Sequence, residues 1–183
     1  CVNVNGTLFF TATDQFTNDQ ELWRSDGTSQ GTVRVKDIVP GALGPNISSM
    51  TYVNGLLYFI ATDGVHGREL WRSDGTEDGT QMVADVRSGA ADGFPVATPI
   101  VSLGNEIYFV AYDGVHGEEL WRSDGTSDVT RIVKDIRPGL VGGLSYPLDP
   151  VRSGGLLFFT ASDGQHGRQL WRSDGTEAGT LAI

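Results

Sequence analysis

Hydrophobic positions along this chain cluster into short runs cut off by glycine-rich turns, and the same cluster returns four times. Residues 57–61 read Leu-Tyr-Phe-Ile-Ala, and matching runs stand at 8–12, 107–111 and 157–161. In a strand, Leu57, Phe59 and Ala61 would share one face, with Tyr58 and Ile60 on the other. Both faces are apolar, so the strand predicted here needs cover on both sides. A short strand over 49–53 precedes it, joined through Asn54-Gly55. Equivalent pairs at Asn5-Gly6, Gly104-Asn105 and Gly154-Gly155 are two-residue loops suited to positive φ, which predicts type I′ hairpins. A loop over 63–67 leads to a third strand at 69–73, and Asp74-Gly75-Thr76 turns the chain into a fourth at 80–86. No segment carries a helical period.

The repeat sets the architecture. WRSDGT occurs at 23–28, 71–76, 121–126 and 171–176, with Trp-to-Trp spacings of 48, 50 and 50 residues. Four short antiparallel strands per unit of that length describe a propeller blade. The expectation is an all-β, four-bladed β-propeller, or a four-blade segment of a larger propeller or repeat array, with four antiparallel strands per blade. A β-solenoid is the rival, but its coils are usually shorter and lack three successive hairpins. Residues 1–183 form one repeat domain on this reading, with approximate blades at 1–46, 47–96, 97–147 and 148–183. The last unit stops at Ile183 before its connection, so the chain is expected to be an excerpt whose ends make intermolecular contacts.

Composition narrows the partners. The formal charge is −10 and the isoelectric point about 4.5, which argues against nucleic acid and anionic membrane surfaces. No apolar run approaches the ~18 residues of a membrane span. Cys1 is the single cysteine, so no intrachain disulfide is possible.

The stretch Glu-Leu-Trp-Arg-Ser-Asp-Gly-Thr at 21–28, 69–76 and 119–126, with Gln169 for Glu at 169–176, resembles the ELWxxDGT repeat of bacterial secreted and surface proteins. A downstream Gly-Thr follows at 31–32, 79–80 and 179–180, while Val129 replaces that Gly before Thr130. The resemblance covers essentially the whole chain. It implies an extracellular or cell-surface repeat protein, and it does not point to an enzymatic activity or a catalytic residue.

Candidate chemistry sits in the turns. His66, His116 and His166 recur at one place, beside Asp63, Asp113 and Asp163, with Glu69 and Glu119 closing the loops. The stretch 14–20 of the first unit has no His. A shared zinc is not expected, because ligands must lie ~2 Å from the ion and loops of neighbouring blades are spaced too widely. Hard oxygens suit Ca²⁺ better, with Asp37, Asp85 and Asp135 expected near the same loops. Turn-making aspartate and a histidine bonded within its own loop are the structural alternatives. No other cofactor is expected. Trp23, Trp71, Trp121 and Trp171 are read as interblade core, not sugar platforms. Asn5 and Asn46 head sequons, Asn5 already serving a turn. No nucleophile elbow, zinc-protease helix or phosphate loop is present.

These readings together predict an extracellular, non-enzymatic structural or adhesive module, self-associating into a homo-oligomer or filament. A glycan-binding propeller and a spacer beside a secreted enzyme are the alternatives.

Overall fold

A computed structural model of the chain describes residues 1–13, 19–41, 44–95, 98–144 and 150–183. Among these residues there is no helix, and hence none long and apolar enough to cross a membrane. Sixteen strands form four antiparallel sheets, each a meander of four consecutive strands. Sheet 1 holds β1 (Val2–Val4), β2 (Thr7–Thr13), β3 (Gln20–Ser25) and β4 (Val33–Lys36). Sheet 2 holds β5 (Ser48–Val53), β6 (Leu56–Ala61), β7 (Glu69–Ser73) and β8 (Gln81–Ala84). Sheet 3 comprises β9 (Val101–Leu103), β10 (Glu106–Tyr112), β11 (Glu118–Ser123) and β12 (Arg131–Lys134). Sheet 4 comprises β13 (Val151–Ser153), β14 (Leu156–Ser162), β15 (Arg168–Ser173) and β16 (Leu181–Ala182). This is the all-β, four-blade organisation that the repeat predicts.

Three of the four predicted two-residue turns form for the reason the sequence suggests, while in Gly104-Asn105 only the glycine has positive φ. Both residues of Asn5-Gly6, Asn54-Gly55 and Gly154-Gly155 have positive φ, between 50° and 91°, the requirement of a type I′ hairpin. In the WRSDGT turn, Asp74 Oδ1 accepts the Thr76 N–H and O–H at 2.8 and 2.6 Å. Ser73 Oγ meets Thr80 Oγ1 at 2.7 Å across the same turn. Asp26, Asp124 and Asp174 repeat the arrangement.

The fourth strand is shorter than predicted: β8 ends at Ala84 instead of reaching residue 86. The Glu69 carboxylate takes the Val86 and Arg87 N–H groups at 2.8 and 3.3 Å, so those donors leave the ladder. A register shift between Leu70 and Trp71 accompanies the departure.

The structure divides into two compact units, Cys1–Asp92 and Gly93–Ile183. In the first, Phe9, Leu22 and Val35 of sheet 1 pack against Leu57, Phe59, Ala61 and Trp71 of sheet 2. In the second, Tyr108, Val110, Leu120 and Val133 of sheet 3 pack against Leu157, Phe159, Ala161 and Trp171 of sheet 4. The two stackings obey one rule. The face carrying Phe9 or Tyr108 meets the face of the next sheet carrying Leu57 or Leu157. Each fully buried Leu or Phe contributes ~1.5–3 kcal/mol.

Close approach enforces the rule at one glycine per pair. A Cβ on Gly75 would meet the Phe9 ring at 2.9 Å, and one on Gly175 would collide with the Tyr108 hydroxyl. Lysine spans the same gap: Lys36 Nζ donates to the Thr80 carbonyl and Lys134 Nζ to that of Thr180, both at 2.9 Å.

Two-sided burial of the second strand holds in β6 and β10 and fails in β2 and β14. Leu57 is 1% exposed but its counterpart Leu8 is 41%, and Leu22, Leu70 and Leu120 are buried where Leu170 is 48% exposed. Sheets 1 and 4 therefore each keep one apolar face open.

Candidate functional site

The Asp-Gly-x-His-Gly loops join β6 to β7, β10 to β11 and β14 to β15. Asp63 Oδ1 accepts the Val65 and His66 N–H groups at 2.9 and 2.7 Å, and Asp63 Oδ2 meets His66 Nδ1 at 2.8 Å. Asp113 with His116 and Asp163 with His166 repeat these contacts, with ring distances of 2.7 and 2.6 Å. Burial opposes ionisation of Asp63 and Asp113. Hydrogen bonds from the histidine ring and the loop N–H groups overcome it, holding both carboxyls below their usual range. The same bond to aspartate raises His66 and His116 above the ordinary imidazole value. Each imidazole is thus tied to its own loop through Nδ1.

Glu69 opens β7 and Glu119 is the second residue of β11, both fully buried. Glu119 Oε1 accepts the Gly143 N–H at 2.6 Å and that of Arg137 at 3.1 Å, while Oε2 accepts that of Ile136 at 3.1 Å. Burial pushes the Glu119 carboxyl up to about 7 in spite of these donors, with the Asp135 charge adding to the rise. Asp85 and Asp135 each hold a buried Oδ1 without a hydrogen-bond partner.

A carboxylate cluster that sequence reasoning missed lies in the first repeat. Asp19, Glu21 and Asp37 each bring one oxygen within 4.8 Å of the others. Asp19 is 4% exposed and Glu21 1%. Glu21 Oε1 accepts the Ile38 and Val39 N–H groups at 3.1 and 3.3 Å. Burial pushes the Glu21 carboxyl up to about 7, and the charges of Asp19 and Asp37 act in the same sense. Among the described residues, no histidine joins such a group. The available signal was Asp19 itself, which stands where the later repeats have Gly67, Gly117 and Gly167. Residues 14–18, which precede it and depart from the repeat in sequence, lie outside the described residues.

The four tryptophans sit in β3, β7, β11 and β15. Trp71, Trp121 and Trp171 are buried and Trp23 is half-buried. Their indole Nε1 atoms are all buried without an acceptor, so packing alone holds them. Asn5 Nδ2 donates to the Tyr52 hydroxyl at 2.9 Å, occupying the atom a glycan would need. Asn46 is exposed, and its carbonyl accepts from Arg68 Nη1 at 3.4 Å.

Sheets 1 and 2 also enclose a pocket of about 100 Å³ lined by Val4, Thr7, Phe9, Arg24, Leu57 and Asp74. Sheet 3 fills its corresponding region with polar contacts. Tyr108 Oη donates to Glu106 Oε2 at 2.8 Å, and Arg122 Nη1 reaches that oxygen at 3.2 Å. Phe9 and Thr7 replace Tyr108 and Glu106 in the first repeat, so this network has no counterpart there.

No family model matches the chain, and no curated protein matches it. Sixteen solved chains do. One is GH43B of a Bacteroides ovatus xyloglucan PUL, 16% identical with a TM-score of 0.44, covering 99% of this chain and 39% of that one. Another is an alpha-L-arabinofuranosidase (CtGH43) of Clostridium thermocellum, 15% identical with a TM-score of 0.39, covering 100% of this chain and 70% of that one. This chain therefore spans about 39% of the length of the first. The likeness is one of fold, and the activity in the titles is that of those proteins. The expectation that this chain is no enzyme is nevertheless withdrawn, because one of the matched structures is by its title an enzyme.

Proposed function

We propose that the chain is an extracellular structural repeat module that stacks head to tail on further copies of itself. The supporting observation is the pair of open sheet faces. Sheet 1 leaves Leu8, Phe10 and Trp23 partly exposed, the counterparts of Leu57, Phe59 and Trp71, which pack on a preceding sheet. Sheet 4 leaves Phe158 and Leu170 partly exposed, the counterparts of Tyr108 and Leu120, which pack on a following sheet. Gly27 has nothing within 4 Å of a built Cβ, whereas Gly75 and Gly175 each receive an aromatic ring from the sheet before. Sheet 4 of one copy thus carries the half that sheet 1 of the next is missing. Such an interface is heterologous, and contacts of that kind that fail to close build filaments. The extracellular placement rests on the ELWxxDGT resemblance.

The test is sedimentation of single substitutions and their mixture. Wild type is expected to associate as concentration rises. Leu8→Glu blocks the sheet 1 face and Leu170→Glu the sheet 4 face, so each alone stays monomeric. Mixed together they retain one good pair of faces and form a heterodimer that grows no further. A wild type that stays monomeric at about 0.5 mM, weaker than most specific self-association, would overturn the reading. So would single variants that still self-associate.

A further inference from the structure

We propose that the first repeat holds a calcium site built from Asp19, Glu21 and Asp37. The three carboxylates come from separate places: Asp19 just before β3, Glu21 within it, and Asp37 just past β4. One oxygen from each lies within 4.8 Å of the other two. Two Ca–O bonds of about 2.3–2.6 Å span that separation.

Buried oxygens without partners point to a ligand. Asp19 Oδ1, Glu21 Oε2 and Asp37 Oδ1 are each shielded from solvent with no hydrogen-bond donor, although Asp19 and Glu21 are more than nine-tenths buried. Among the described residues, the one cation paired with the group is Arg34, whose Nη1 meets Asp37 Oδ2 at 3.2 Å on a half-exposed side chain. Grouped carboxylates, two of them this deeply buried, are costly unless a charge compensates them. A divalent cation would take one oxygen from each of the three carboxylates, with backbone carbonyls or water completing the shell. Gly44 closes this side of the cluster: a Cβ there would meet the Gln20 carbonyl oxygen at 2.8 Å and Asp19 Oδ1 at 3.2 Å.

The repeat supplies an internal control. The second and third units keep the buried Glu and the Asp after the fourth strand, as Glu69 with Asp85 and Glu119 with Asp135, but have glycine at the Asp19 position. Only the first unit adds a third carboxylate, and it lacks the histidine loop of the others. Calcium is a choice of chemistry: hard oxygen donors with no nitrogen or sulfur favour it over zinc.

The experiment is calorimetric titration of the full chain, stripped with chelator, with CaCl₂ to about 10 mM, which spans the weak affinities of extracellular calcium sites. Melting temperature is recorded alongside. Asp19→Gly and Glu21→Gln install residues that other repeats already carry at those positions, in Gly67 and Gln169. Wild type is expected to bind one calcium and to melt higher with it. Each substitution should weaken binding at least ~10-fold, since affinity follows ligand charge count, while Asp113→Asn leaves it unchanged. Should either substitution prevent folding, Asp37→Asn takes its place. A folded wild type showing neither heat nor a melting shift overturns the site. Binding that survives these substitutions overturns it too.

Discussion

Glu119 shows how far one residue's state depends on its surroundings. Its carboxylate takes three backbone N–H groups of the connection leaving β12, fixing where the chain turns away from the sheet. Burial nevertheless pushes the carboxyl up to about 7 from 4.5. Below pH ~4.5 the group is protonated in the folded and unfolded states alike. Between there and ~7 the unfolded chain releases the proton while the folded chain keeps it, so stability falls as pH rises through this window. Urea unfolding of wild type across pH 4.5–7.5, with chelator present, should show that decline. Glu119→Gln should remove up to about 3 kcal/mol of it. An unchanged slope would mean that Glu119 is ionised throughout. The sequence marked Glu69 and Glu119 only as loop-closing acids. Their role as acceptors for N–H groups seventeen and eighteen residues downstream depends on a chain reversal that no local pattern encodes. Asp63 and His66, by contrast, were legible, because Asx-type bonding within five residues needs no tertiary information.

Elements were readable where their cause is local. The two-residue turns followed from their Asn-Gly and Gly-Gly pairs, and β7 occupies the predicted residues 69–73. What the repeat concealed was which copies keep an open face. The apolar run of the second strand has the same form in all four units, yet β2 and β14 each leave one face open where β6 and β10 do not, a difference that the run itself does not encode. Tryptophan measures the difference. Trp171 packs with Leu157, Phe159 and Leu120 and is 6% exposed, so Trp171→Ala should cost about 3–5 kcal/mol. Trp23 occupies the same register on the open face of sheet 1, opposite Phe10. Trp23→Ala should cost only ~1 kcal/mol under monomeric conditions, where it removes few contacts. Denaturant titration of both variants at low protein concentration gives the comparison. Equal losses would show that Trp23 is covered and that sheet 1 has no open face.

Charge of the whole molecule bears on how its copies meet. Each carries a formal charge of −10, so like charges oppose any contact between two of them. The face proposed to join sheet 1 carries Leu170 between Arg168 and Arg172, all exposed in β15, and these guanidiniums would be drawn to the acidic surface of a second copy. Salt screens both effects, so their relative size fixes the sign. An exposed ion pair contributes roughly 0–1 kcal/mol. Repulsion between the net charges acts over the full Debye length, about 30 Å at 0.01 M salt and about 8 Å at 0.15 M. At low salt repulsion therefore prevails, while the apolar contact of Leu170 and Phe158 with Leu8, Phe10 and Trp23 is nearly independent of ionic strength. Association measured by sedimentation should strengthen when sodium chloride rises from about 0.01 to 0.15 M. Association that weakens instead would mean that Arg168 and Arg172 form specific ion pairs dominating the interface. Arg168→Gln and Arg172→Gln would then abolish the salt dependence, whereas under the apolar stacking described here they leave it in place.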